Sequence, residues 1–150
     1  MELRFVEPQS PDYAMLANKL DEYYFSIVGD VHLRYAEVNR PENMACRIIA
    51  YEEGRPVACG CWKAIDDRAA EVKRIYVLPE YRRRGIASRI IGKLEEEIAK
   101  AGFPIIILET ARTTDESKQL YLSLGYEEIG YYGSPAGAEN CLCFRKYAKP

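Results

Sequence analysis

The segment from Ala70 to Leu108 constrains the fold more than any other part of this chain. Ala70 to Val77 has the composition of a strand and is followed by a turn dense in arginine and small residues. A helical pattern then runs from about Gly85 to Ala101, with Ile86, Ile90, Ile91, Leu94 and Ile98 on one apolar stripe. Lys93–Glu97 and Glu96–Lys100 stand four apart on the opposite side, and Gly102 suits the left-handed stop of a helix. Pro104 to Leu108 follows, an unbroken apolar run that reads as a strand buried on both faces. A strand, a helix and a second strand in this order form a crossover, which predicts a parallel pair joined in the right-handed sense.

The flanking segments complete a sheet around that unit. Leu3 to Val6 reads as a short strand, and Pro11 to about Tyr24 as a helix with Tyr13, Leu16, Leu20 and Tyr24 on one side and Ser10 as its cap. Val31 to Glu37 is ambiguous between loop and short helix. Ala45 to Tyr51 and Pro56 to Ile65 are strands joined at Glu53-Gly54, and Asp66-Asp67 turns the chain into Ala70 to Val77, giving an antiparallel meander. Downstream, Asp115 to Leu124 is a helix closed by Gly125, with Thr113 and Glu116 in capping-box spacing. Tyr126 to Tyr132 and Cys141 to Tyr147 are closing strands around a Gly/Pro/Ala loop. The expected architecture is α/β: a mixed, mostly antiparallel central sheet with helices on both faces. At 150 residues and 48% hydrophobic, the chain suits one domain and one core over residues 1–150.

Charge and cysteine usage narrow the class. A net charge of -2 with a pI near 5.6 argues against a coat for nucleic acid or for an anionic membrane, which needs a net basic face. No run approaches the roughly 20 apolar residues of a membrane span, and the N-terminal residues lack a basic stretch followed by an apolar one. A cytoplasmic protein with reduced thiols is expected. Cys59 and Cys61, like Cys141 and Cys143, are spaced to put both thiols on one strand face, so they read as buried thiols; Cys46 stands apart. The sole histidine, His32, lies far from both pairs, and no metal site is expected.

The turn at residues 82–88, Arg-Arg-Arg-Gly-Ile-Ala-Ser, carries the chemistry. Free backbone N–H groups at a helix start, with its dipole, suit a phosphate or diphosphate. Gly85 and Ala87 let backbone approach a ligand, and Arg82, Arg83 and Arg84 add charge, although such a cluster alone also fits a solvated face. No Gly-Lys-Ser/Thr ending is present, which disfavours a nucleoside-triphosphate loop. Arg82-x-x-Gly85-x-Ala87 after the strand Val72 to Val77 resembles the acyl-CoA signature of the GCN5-related N-acetyltransferase (GNAT) family. Leu108-Glu109-Thr110 and Ser117-x-x-Leu120-Tyr121-x-x-x-Gly125-Tyr126 resemble that family's next strand and helix, with Tyr126 where Phe is common. The similarity runs over roughly residues 57 to 132.

That resemblance implies acetyl-CoA as cosubstrate and roles for individual positions. Backbone N–H groups of Arg82, Arg83, Arg84, Gly85, Ile86, Ala87 and Ser88 would cradle the diphosphate, and the backbone of Ile75, Tyr76 and Val77 would pair with the pantetheine arm. A bulge in that strand would splay it from Pro104 to Leu108 and open a slot for the thioester. Tyr121 would touch the cofactor and protonate the leaving thiolate; packing beside Leu120 and Leu124 is the competing role. Glu71, fourteen residues before Gly85, stands where the histone-acetylating members carry their catalytic carboxylate. An amine of pKa about 10.4 must lose its proton at pH 7, which costs about 4.6 kcal/mol, so a base is useful. Lys73 on the same strand face makes a surface ion pair an equal reading of Glu71.

Glu109 and Thr110 end the buried strand, where ligands gather, or merely finish it; the family's frequent Asn at the next helix is not found in Thr110 to Asp115. His32 could line the acceptor site, although a lone histidine is more often incidental. Tyr23, Tyr24, Phe25 and Tyr35 lie in the N-terminal helices that, in the resembled family, wall the acceptor pocket, although an aromatic stripe at helical spacing is more often core. The implied function is transfer of an acetyl group to a primary amine of a small molecule or peptide by direct attack in a ternary complex. The alternatives are a different acyl-CoA or a non-catalytic acyl-CoA sensor. Neither nucleic acid nor membrane is an expected partner, and pairing of two chains through Cys141 to Tyr147 is a candidate homodimer contact.

Overall fold

The computed structural model describes residues 1–111, 115–132 and 141–149. Seven strands form one sheet: β1 (Glu2–Phe5), β2 (Cys46–Glu52), β3 (Arg55–Ala64), β4 (Ala69–Val77), β5 (Ile105–Ala111), β6 (Glu127–Ile129) and β7 (Cys141–Tyr147), in the spatial order β1-β2-β3-β4-β5-β7-β6. All neighbours are antiparallel except β4 and β5. Helix α1 (Pro11–Val28) packs on one face, and α2 (Ile86–Lys100), the crossover from β4 to β5, on the other; α3 (Asp115–Ser123) follows β5. The hairpin between β2 and β3 turns on Glu53 and Gly54, both at positive φ, as a two-residue turn between right-twisted strands requires. Asp66 fixes the next turn by accepting the amides of Arg68 and Ala69, each at 2.8 Å.

Strand alternation decides what each helix meets. Cys61 sends its thiol to the Tyr13 hydroxyl of α1 at 3.2 Å, whereas a Cβ on the neighbouring Gly60 would stand 2.7 Å from Ile90 of α2. The whole predicted stripe of α2 (Ile86, Ile90, Ile91, Leu94, Ile98) is buried against the sheet. All five cysteines are free, and burial pushes the thiol of Cys61 up to about 12 and those of Cys46 and Cys143 to about 11, so they serve as packing groups.

Several boundaries differ from expectation. Helix α1 continues past Tyr24 to Val28 and stops at Gly29, whose φ of 62° ends it. The ambiguous segment after it is a 3₁₀ helix, Gly29–Tyr35. Lys93 does reach Glu97 at 3.8 Å, but Lys100 pairs with Glu97 at 3.6 Å. The strand expected over Tyr126 to Tyr132 shrinks to β6, and beyond it the Tyr132 hydroxyl donates to Glu71. Strand β7 is flanked by β5 along its length and by β6 over Cys143–Arg145, so among the described residues only its two ends keep an unpaired side for a homodimer contact. The Thr113 cap and the Gly/Pro/Ala loop lie outside the described residues. No helix among the described residues is long and apolar enough to cross a membrane.

Candidate active site

Strands β4 and β5 pair only at Ala69–Ile105, Ala70–Ile106 and Glu71–Ile107, then part. The cause lies in β4. Cys59 and Cys61 on β3 are two positions apart, while their partners on β4, Tyr76 and Lys73, are three apart. That extra residue is a β-bulge, with Arg74 in the left-handed region at φ 61°. Asp21 holds Arg74 there at 2.9 Å, and the guanidinium also donates to the Ala17 carbonyl. Beyond the bulge, Tyr76 and Val77 keep β3 on one side, and from Ile75 to Val77 the other edge of β4 faces the gap.

A cleft of about 840 Å³ opens over that gap. It is lined by Ile75, Tyr76, Val77, Arg82, Arg83, Gly85, Ile86, Ala87 and Ser88 at one end and by Tyr121 and Thr110 further in. Gly85 caps α2 in the left-handed conformation (φ 76°) with no side chain covering the first amides, so those N–H groups face the cleft unclaimed by a cap. Arg82 is fixed by a bond from its Nε to the Val77 carbonyl at 2.9 Å, with its guanidinium over the Tyr76 ring. Arg83 reaches Glu116 at 3.6 Å between two exposed side chains, a weak pair that an anion can displace. Arg84 is turned elsewhere: it donates to the Glu80 carbonyl and stacks on Tyr81.

Tyr121 is 7% exposed, packed between Tyr126 and Phe144 with ring centroids 5.9 and 5.8 Å away. Burial, and then nearby Tyr24, push its phenol well above the ordinary value, so it stays protonated at neutral pH and meets the cleft as a donor. Tyr126, where Phe was the commoner residue, spends its hydroxyl on Glu95 at 2.8 Å.

On the α1 side of the gap is a smaller cavity of about 90 Å³. Leu20, Tyr24 and Thr110 line both spaces, so the cavity and the cleft meet at the parting strands. His32, expected to be incidental, is built into its wall: its ring stacks between Tyr24 and Tyr35 and its Nε2 lies 2.7 Å from Asp21. Tyr24 and Tyr35 are wall of this cavity too, Tyr23 is exposed and lines the larger cleft, and Phe25 is exposed. Burial pushes the Tyr24 phenol up to about 12.

Glu71 faces this cavity but is already engaged. It is 5% exposed, 3.4 Å from Lys73, and accepts the Tyr132 hydroxyl at 2.5 Å. The ion pair with Lys73 therefore exists, but inside the protein rather than on its surface. Asp21 and Arg74 were missed in the sequence. Their spacing of 53 residues carries no local signal, and only an arginine inside a strand-like run hinted at either.

The comparisons with known proteins agree with this geometry. A family model described as the acetyltransferase (GNAT) family matches residues 13–126. The chain is 33% identical over 99 residues to the IAA acetyltransferase of Azospirillum brasilense, covering 65% of this chain and 63% of that protein. It is 29% identical over 80 residues to the N-acetyltransferase YsnE of Bacillus subtilis, covering 52% and 53%. The chain thus spans little more than half the length of these relatives. An aminoglycoside 6'-N-acetyltransferase solved with coenzyme A shares the fold at a TM-score of 0.75 and 18% identity, over 100% of this chain and 98% of that one. With its sheet parted between β4 and β5 and most of its length matched by that family model, the chain belongs to the GNAT family of acetyltransferases.

Proposed function

We propose that this chain transfers an acetyl group from acetyl-CoA to a primary amine of a small molecule or peptide, by direct attack while both are bound. The observation that carries this reading is the parted strand pair. It puts an unpaired backbone edge, uncapped helix amides and a buried phenol along one cleft, with a second cavity behind it. The coenzyme A in the related aminoglycoside enzyme supports the choice of cofactor.

The amides from Arg82 to Ser88 bind the diphosphate, helped by the side chains of Arg82 and Arg83. The free edge of Ile75, Tyr76 and Val77 pairs with the pantetheine arm as an added strand, and a backbone N–H near Val77 polarises the thioester carbonyl. Tyr121 donates to the sulfur as the C–S bond breaks. The amine enters from the α1 side, through the cavity that Glu71 and Glu109 line.

Release of free thiol from acetyl-CoA over a panel of primary amines tests this directly. Turnover with at least one amine, and amide product of the matching mass, is the expected result. Coenzyme A binding without turnover on any amine would instead identify a sensor.

A further inference from the structure

We propose that Glu109, rather than the Glu71 to which the family resemblance points, is the base that takes the proton of the acceptor's ammonium group. The inference rests on the acetyl-transfer reading of the site. Strand alternation puts Glu71 and Glu109 on the same face: Glu71 pairs with Ile107, and Glu109 lies two residues further along β5. Both line the cavity that joins the cofactor cleft through Tyr24 and Thr110.

Their engagements differ. The Glu71 carboxylate is held by the Lys73 ammonium at one oxygen and by the Tyr132 hydroxyl at the other, so each oxygen already has a partner and its charge is balanced. Glu109 has one carboxylate oxygen, Oε2, buried without a hydrogen-bond partner among the described residues. A buried acceptor of this kind costs stability unless something fills it, and an ammonium in the cavity is a fitting donor.

The surroundings tune the same group. Glu71 and Lys73 face it from β4, Tyr35 from the 3₁₀ helix, Tyr131 and Tyr132 from the segment after β6, and Cys143 from β7. Burial first, and then the Glu71 charge, raise the Glu109 carboxyl above the ordinary range, with Lys73 opposing. That narrows the gap between the carboxyl and an ammonium ion, the direction a general base needs. The step balances as follows. One ammonium proton moves to a Glu109 oxygen, and the freed lone pair forms the C–N bond. The C–S bond breaks with its electrons going to sulfur, which takes the Tyr121 proton. The nitrogen's second proton leaves to solvent, from which Tyr121 is restored.

The test compares the whole chain with Glu109→Gln, measuring kcat/KM against pH for strongly basic alkylamines and for weakly basic amines already neutral at pH 7. For strongly basic amines at pH 7, Glu109→Gln is expected to lose about 10²–10³-fold. That deficit shrinks as pH rises and nearly vanishes for weakly basic amines, a pattern that a packing defect does not give. Glu109→Asp, which keeps a carboxylate, should retain the wild-type dependence on amine basicity at a lower rate. An active wild type with a Glu109→Gln deficit that is absent, or equal for both amine classes, overturns the role of Glu109 alone. A wild type that binds coenzyme A but acetylates no amine overturns the acetyl-transfer reading with it.

Discussion

The two faces of the sheet are built by different means. The α2 face is a regular apolar stripe of five buried residues laid on smooth strand surface, with Gly60 keeping the approach close. The α1 face holds the bulge, the buried Arg74 guanidinium paired with the more exposed Asp21, the engaged Glu71 and a cavity walled by stacked rings. One face supplies rigidity and presents backbone groups to the cofactor cleft. The other buries polar groups that are mostly paired within the protein, and leaves one oxygen of Glu109 for a bound acceptor to fill. On the proposed reading, the comparison teaches that packing is regular beside the cleft assigned to the coenzyme and irregular around the cavity assigned to the acceptor.

Substitutions on each face should break in different ways. Tyr121→Phe, at the junction, has the largest expected effect: a loss of about 10²–10³ in kcat with coenzyme A affinity nearly unchanged, read by steady-state kinetics beside calorimetric titration. Leu94→Ala on the α2 face leaves chemistry in place but lowers stability by about 2–5 kcal/mol, read by urea unfolding. Gly60→Ala at the same contact should cost about 1–3 kcal/mol, because the added methyl meets Ile75 and Ile90 at 2.7 Å. On the α1 face the sign reverses. Burial raises the Glu109 carboxyl, so its neutral form stabilises the fold at acid pH and that stability is lost as pH rises through the folded value. Glu109→Gln, neutral at every pH, should therefore melt slightly above wild type at pH 7 and converge with it near the ordinary carboxylate range.

The same contrast explains what the sequence disclosed. The α2 stripe, the crossover, the hairpin turn at Glu53-Gly54 and the arginine turn are local patterns, and each is present in the structure. The α1 face is a tertiary convergence. His32 meets Tyr35 one turn on in its own 3₁₀ helix, but its contacts with Asp21 and Tyr24 of α1 arise only because the chain folds back after Gly29. Whether Glu71 paired with Lys73 was readable from alternation, but that the pair would be buried depended on Tyr132, 61 residues away. The bulge was implied by family resemblance only; Arg74 in the left-handed region shows no sign in the residue types around it.

The central claim is that the gap between β4 and β5 receives the coenzyme's arm and delivers its thioester to Tyr121. A crystal structure of the chain with bound coenzyme A tests this most directly. The account predicts the pantetheine arm along Ile75–Val77 and the sulfur within hydrogen-bond reach of the Tyr121 hydroxyl. A coenzyme bound elsewhere, with that gap empty and the sulfur remote from the phenol, would contradict it.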